Sequence, residues 1–236
     1  MSSKPQSLEK KERKGPISFD VTLSEEQKEA KRQMLSHTCT ILDGEPGASK
    51  TFIAVNVALD MLFSKQVSKI YMTRPPLELK QFNLGALPGL LGEKIAEFAL
   101  PFYDAMKANY SNSPAKLAKL TKIVEEKQVE FLSLAHVRGR NLGTVADPCV
   151  LIVDEAQSCN EDTLYAILTR LGEGSKLFLT CDLNQNDANG KSGMVRLLAI
   201  KDNILDTTYI RLENNYRSAF VQSINKHWFP RKETIQ

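Results

Sequence analysis

A chain of 236 residues with 42% hydrophobic content is one large domain or two small ones, with enough apolar residues for a sizeable core. Its four scattered cysteines, with no Cys-x-x-Cys pair, and its three histidines argue against a disulfide framework and structural zinc. The net charge of +3 lies wholly in residues 1–16, where Lys4, Lys10, Lys11, Arg13 and Lys14 stand against Glu9 and Glu12, so the remainder is neutral overall. Residues 1–16 read as a basic, disordered, solubilising tail that can add to nucleic-acid binding, and 17–236 as a single domain. No run approaches a membrane span and the start carries no signal-peptide pattern, which predicts a cytoplasmic protein with no membrane partner.

Along the chain, Ser24-Glu25-Glu26-Gln27 opens a helix to about Ser36, with Leu23, Gln27, Ala30 and Met34 on one face. Gln27 on that face has two readings. It closes a capping box with Ser24, or its amide faces the adenine edge of a nucleotide. Thr40-Ile41-Leu42 is a strand, and Gly44-Glu45-Pro46-Gly47-Ala48-Ser49-Lys50-Thr51 follows it, leading into a helix from about Lys50. Strand, glycine loop and helix in this order nearly match the P-loop pattern Gly-x4-Gly-Lys-Ser/Thr, with Ser49 in place of the last glycine. Backbone N–H groups of such a loop wrap phosphates at the positive end of the helix. In this reading Gly44 to Thr51 bind the nucleotide, Lys50 bridges the β- and γ-phosphates, and the Thr51 hydroxyl binds Mg²⁺.

Lys69 to Thr73 reads as a strand ending in Arg74-Pro75-Pro76, and Gly85-Ala86-Leu87-Pro88-Gly89 as a loop. Helices are expected over 92–109 and 115–127, a strand over 130–134 before Arg138-Gly139-Arg140, and a buried strand at Val150 to Val153 that ends in Asp154-Glu155-Ala156-Gln157. Two acids at a strand end suit a magnesium ion and an attacking water. Asp154 is the candidate for Mg²⁺ and Glu155 for the base; the alternative is an acid pair capping the helix that begins near 160. The remaining expectations are a helix over 161–171, a strand over 176–180, a helix over 192–200, a strand over 207–212, and a final helix opened by Asn214 to Ser218. Strands alternating with helices predict an α/β fold with a mostly parallel sheet covered on both faces. Phe82, Tyr103 and Tyr110 receive no base-stacking role, because aromatics in helical stretches are usually core.

From about Leu23 to Lys226 these segments together resemble the PhoH-like family, phosphate-starvation-inducible P-loop ATPases related to superfamily 1 helicases. The resemblance is carried by the P-loop, Thr73-Arg74-Pro75, Gly85 to Gly89 with Glu93-Lys94, and Val137 to Leu142. It continues in Asp154 to Gln157, Leu168 to Gly172 with Gly174-Ser175-Lys176, and Thr180-Cys181-Asp182 with Gln185. It implies a three-layer RecA-like P-loop domain, ATP and Mg²⁺ as cofactors, RNA or single-stranded nucleic acid as partner, and a hexameric homo-oligomer. It also implies Gln185 as a γ-phosphate sensor. Arg217, in Asn215-Tyr216-Arg217-Ser218, matches a superfamily 1 motif whose arginine contacts the γ-phosphate.

Arg74, Arg138 and Arg140 lie near apparent strand ends, where open α/β sheets place their sites. With Arg170 they are candidates for contacting nucleic acid or a neighbouring subunit's ATP. Two departures from the family pattern, Ser49 and Cys181, each put a bulkier residue where a glycine is usual beside the γ-phosphate. The expected function is Mg²⁺-dependent ATP hydrolysis coupled to RNA or single-stranded nucleic acid, with helicase or translocase action as one form. The alternative is an oligomeric nucleotide-binding scaffold or switch with weak hydrolysis.

Overall fold

The computed structural model describes residues 22–75, 91–108, 114–185 and 192–228. The basic tail, the loop Gly85 to Gly89, Phe82 and Tyr110 lie outside the described residues. Among those described, six strands form one sheet: β1 (Cys39–Gly44), β2 (Lys69–Thr73), β3 (Val129–Phe131), β4 (Cys149–Val153), β5 (Lys176–Cys181) and β6 (Thr207–Leu212), in the order β3-β2-β4-β5-β1-β6. Every pairing is parallel. A parallel sheet needs helical crossovers, which cover both faces and make its central strands read as unbroken apolar runs. All residues of β1 and β4 are accordingly buried.

Two apolar clusters flank the sheet. One joins α1 (Glu25–Ser36), α2 (Lys50–Phe63), α3 (Leu91–Ala108) and α4 (Pro114–Glu125) to one face, with Met34, Ile53, Leu59, Phe102 and Ile152 at its centre. The other joins α5 (Leu134–Arg138), α6 (Glu161–Leu168) and α7 (Gly193–Ile200) to the opposite face through Val137, Leu151, Leu164, Leu179 and Met194. The result is the expected three-layer α/β arrangement. A last helix, α8 (Ala219–Trp228), follows β6.

Three boundaries differ from the sequence expectations by three residues or more. The strand expected over 130–134 stops at Phe131, because the Ser133 side chain accepts from His136 N and starts α5. Arg138 is therefore the last residue of a short helix and Arg140 lies just beyond it, rather than at a strand end. The helix expected to 171 ends at Leu168, where Thr169 turns its N–H back to Tyr165 O and Ile167 O. The final helix begins at Ala219 rather than near Asn214, because the Asn215 side chain takes the Arg217 N–H and Gly47 O takes the Tyr216 N–H. Among the described residues no helix is long and apolar enough to cross a membrane.

Candidate nucleotide site

The site forms at the C-terminal edge of β1, β4 and β5, where a parallel sheet gathers its loops. The loop after β1 turns on Gly47, whose φ is +96°, and on Ser49, whose φ is +63°. A Cβ on Gly47 would stand 2.6 Å from Arg217 Cγ and 2.7 Å from Asn215 Oδ1, so only glycine fits both the backbone and the neighbours. Ser49 is the N-cap of α2 in left-handed conformation and makes no side-chain capping bond. Its Oγ instead accepts from Gln27 Nε2 at 2.8 Å. The extra side chain at this glycine-like position is thus turned toward α1.

Of the two readings of Gln27, the capping box is present in the structure. Gln27 Oε1 accepts from Ser24 N at 3.0 Å while Ser24 Oγ accepts from Gln27 N, a complete capping box. With Nε2 given to Ser49, both ends of the amide are engaged inside the protein. The buried face of α1 is as expected, with Gln27, Ala30 and Met34 buried.

Lys50 Nζ donates to Gly44 O at 2.7 Å and to Glu45 O at 3.1 Å, which holds the ammonium over the loop. Thr51 Oγ1 donates to Asp154 Oδ1 at 2.7 Å. Thr180 Oγ1, from β5, donates to the same oxygen. Asp154 N donates to Thr73 O at 2.9 Å, so the first acid is keyed to the end of β2 as well. Glu155 has a left-handed φ of 54° and does not cap an α-helix; Asn160 caps α6. Its Oε2 accepts from Gln157 Nε2 at 2.6 Å, and its Oε1 lies 3.2 Å from Arg74 Nη2. Gln157 Oε1 in turn accepts from Asp182 N at 3.1 Å, tying the acid pair to the end of β5.

A hydroxyl and a carboxylate 2.7 Å apart, both hard oxygen donors, suit Mg²⁺. Among the described residues no group of three His, Cys, Asp or Glu is placed to hold a metal alone.

The other acids of this edge are held differently. Asp43 is buried and accepts from Tyr209 Oη at 2.7 Å, Arg211 Nη1 at 3.3 Å and Leu183 N at 3.2 Å. Burial, then the bond to Asp43, pushes the Tyr209 phenol up to about 12. Cys181 is fully buried with Sγ 4.0 Å from Asp43 Oδ1; burial and then that carboxylate push its thiol up. Burial also raises the Asp182 carboxyl.

The structure thus brings Gly44 to Thr51, Gln27, Asp154 and Glu155 together, and lays Asn215 to Arg217 against the loop. Asn215 Nδ2 donates to Pro46 O at 3.1 Å and the Arg217 stem packs over Gly47. Gln185 ends a short 3-10 turn directly after β5. The arginines separate. Arg74 faces the acid pair of its own chain, 3.2 Å from Glu155 Oε1. Arg138 bonds Thr163 Oγ1, and Arg140 lies 3.7 Å from Glu130. Arg170 sits beside Leu142 and Gly172, near the starts of β4 and β5, at the edge opposite the P-loop. Two residues without a role from sequence now have contacts at the site: Thr180 and Gln157. Their signal was their place within Thr180-Cys181-Asp182 and Asp154-Glu155-Ala156-Gln157.

The PhoH-like protein family matches residues 21–228, nearly the whole chain. The chain belongs to the PhoH-like family. It is 37% identical over 165 residues to the PhoH-like protein of Mycobacterium leprae (strain TN), covering 69% of this chain and 44% of that one. The PhoH-like protein of Synechocystis sp. (strain ATCC 27184 / PCC 6803 / Kazusa) is 34% identical over 170 residues, covering 71% and 49%. This PhoH-like chain therefore spans less than half the length of these relatives. Among solved structures, the large terminase of a thermophilic bacteriophage aligns with a TM-score of 0.50 at 12% identity, over 87% of this chain and 50% of that one. At that identity the likeness concerns the fold alone. Family and fold together agree with a P-loop domain in this PhoH-like chain.

Proposed function

We propose that the domain hydrolyses ATP with Mg²⁺ and couples the reaction to RNA or single-stranded nucleic acid, as a helicase or translocase motor in a homo-oligomeric ring. The observation that carries the nucleotide chemistry is the Thr51–Asp154 bond beside Lys50, with Glu155 adjacent and held on both carboxylate oxygens. The nucleic-acid half rests on the family resemblance.

In this reading the loop N–H groups and Lys50 bind the triphosphate, the lysine leaving its carbonyl partners for phosphate oxygens. Thr51 and Asp154 would hold Mg²⁺, which supplies charge neutralisation at the β- and γ-phosphates. Glu155 Oε1 or Oε2 orients the attacking water and accepts its proton. Thr180 and Gln157 fix the rotamers of Asp154 and Glu155, so the acids need little reorganisation. Arg217, packed over Gly47, supplies charge against the γ-phosphate, or an arginine such as Arg170, Arg138 or Arg140 supplies it across a subunit boundary. The position of Arg170 on the edge opposite the P-loop is what a head-to-tail contact needs.

A second reading, a nucleotide-binding scaffold or switch with weak hydrolysis, is favoured by Ser49 and Cys181 at glycine positions of the family pattern. ATP turnover measured with and without RNA and single-stranded DNA separates the two. Stimulation by nucleic acid supports the motor; measurable binding with no stimulated turnover supports the scaffold.

A further inference from the structure

We propose that Arg74 is a resident counter-cation of the acid pair, competing with the divalent ion for Asp154 and Glu155 and passing to a phosphate oxygen when metal and nucleotide bind; this rests on the Mg²⁺-ATP reading of the site.

Arg74 Nη1 lies 4.0 Å from Asp154 Oδ2 and Nη2 lies 3.2 Å from Glu155 Oε1, with the Asp154 side chain only 3% exposed and that of Arg74 19%. The guanidinium therefore balances the same two carboxylates that a divalent ion would use. Two cations cannot share them at this distance without strong repulsion, because a low-dielectric edge screens little. The side chain is also left incomplete: Arg74 Nε is buried with no hydrogen-bond partner among the described residues. A buried, charged N–H without an acceptor is costly, and a phosphate oxygen is a natural partner for it.

The backbone beneath it is pinned. Thr73 O accepts from Asp154 N at 2.9 Å, and Pro75 on the other side is buried and has a fixed φ. Exchange of partners is thereby confined to the arginine side chain, and the acids stay in place through Thr51, Thr180 and Gln157. Arg74 thus balances the acids in the empty site and touches phosphate itself in the loaded one.

The test uses the full chain and Mn²⁺ as the probe, read by electron paramagnetic resonance without nucleotide. Arg74→Gln removes the charge at similar length and should tighten Mn²⁺ binding roughly tenfold or more. Arg74→Lys keeps the charge and should stay near the wild-type value. With Mn²⁺ saturating, binding of a fluorescent ATP analogue should weaken several-fold in Arg74→Gln. Opposite signs for metal and nucleotide distinguish this role from simple damage to the site, which would weaken both. Arg74→Met, neutral and unbranched, replaces the glutamine variant if that one does not fold. Unchanged or weaker Mn²⁺ affinity in the neutral variant overturns the competition. Unchanged ATP affinity with Mn²⁺ saturating overturns the hand-over. Failure of the wild-type chain to bind Mg²⁺-ATP would instead count against the proposed function.

Discussion

Ser49 offers a quantitative test of how this loop tolerates a residue other than glycine. Its φ of +63° is left-handed, which costs a non-glycine residue about 1–2 kcal/mol. Its Oγ satisfies Gln27 Nε2 at 2.8 Å, on a residue only 5% exposed. Ser49→Ala keeps the backbone cost and strands the buried amide donor, a loss of about 1–3 kcal/mol. Ser49→Gly strands the same donor but releases the backbone, and should recover about 1 kcal/mol relative to alanine. For a chain of this size that separates the two variants by roughly 2–4 °C in melting temperature, with wild type above alanine by at least as much. Thermal melts followed by circular dichroism, with urea midpoints as a second measure, read the order. Alanine and glycine variants that melt together would refute the strained backbone. An alanine variant as stable as wild type would refute the Gln27 contact.

Glu155→Gln should lower ATP turnover by roughly 10²–10⁴-fold while Mg²⁺-ATP binding persists, as measured by steady-state kinetics and nucleotide titration; unchanged turnover would move the base elsewhere. Stability should fall at high pH. Burial pushes the Cys39 and Cys159 thiols from 9.0 up to about 12, and Tyr209 rises from 10.0 to about 12. Raised folded values mean the unfolded chain ionises first, so the contribution is full below pH about 9 and is lost as pH climbs toward about 12. A urea midpoint that does not drop between pH about 7.5 and about 10.5 would contradict this. Subunits carrying Glu155→Gln, mixed with subunits carrying a donor-arginine change such as Arg170→Ala, should regain part of the lost turnover, because some interfaces then hold both intact groups; no regain would place the arginine within one subunit.

Much of this architecture was legible from local pattern. A parallel strand buried on both faces has to be an apolar run, so Val150 to Val153 announced both β4 and the acids at its end. Glycines, Lys50 and Thr51 between a strand and a helix marked the loop in the same local way. The misread segments are those where one side chain decides the backbone. Ser133 lies inside the strand-like Phe131-Leu132-Ser133-Leu134 but caps α5, and Asn215 delays α8 by taking the Arg217 N–H. Arg74 stood at a strand end as expected, yet its direction depended on which carboxylates lay across the sheet. Its neighbour β4 comes much later in the chain, so only the assembled sheet could show the contact.

The central claim is that Gly44 to Thr51 bind the phosphates of ATP. Its most direct test is isothermal titration of Mg²⁺-ATP into the wild-type chain and into Lys50→Ala. Losing one charge-assisted contact to phosphate should weaken affinity by roughly ten- to hundred-fold, with the fold retained in circular dichroism. Equal affinity in the two proteins would contradict the account.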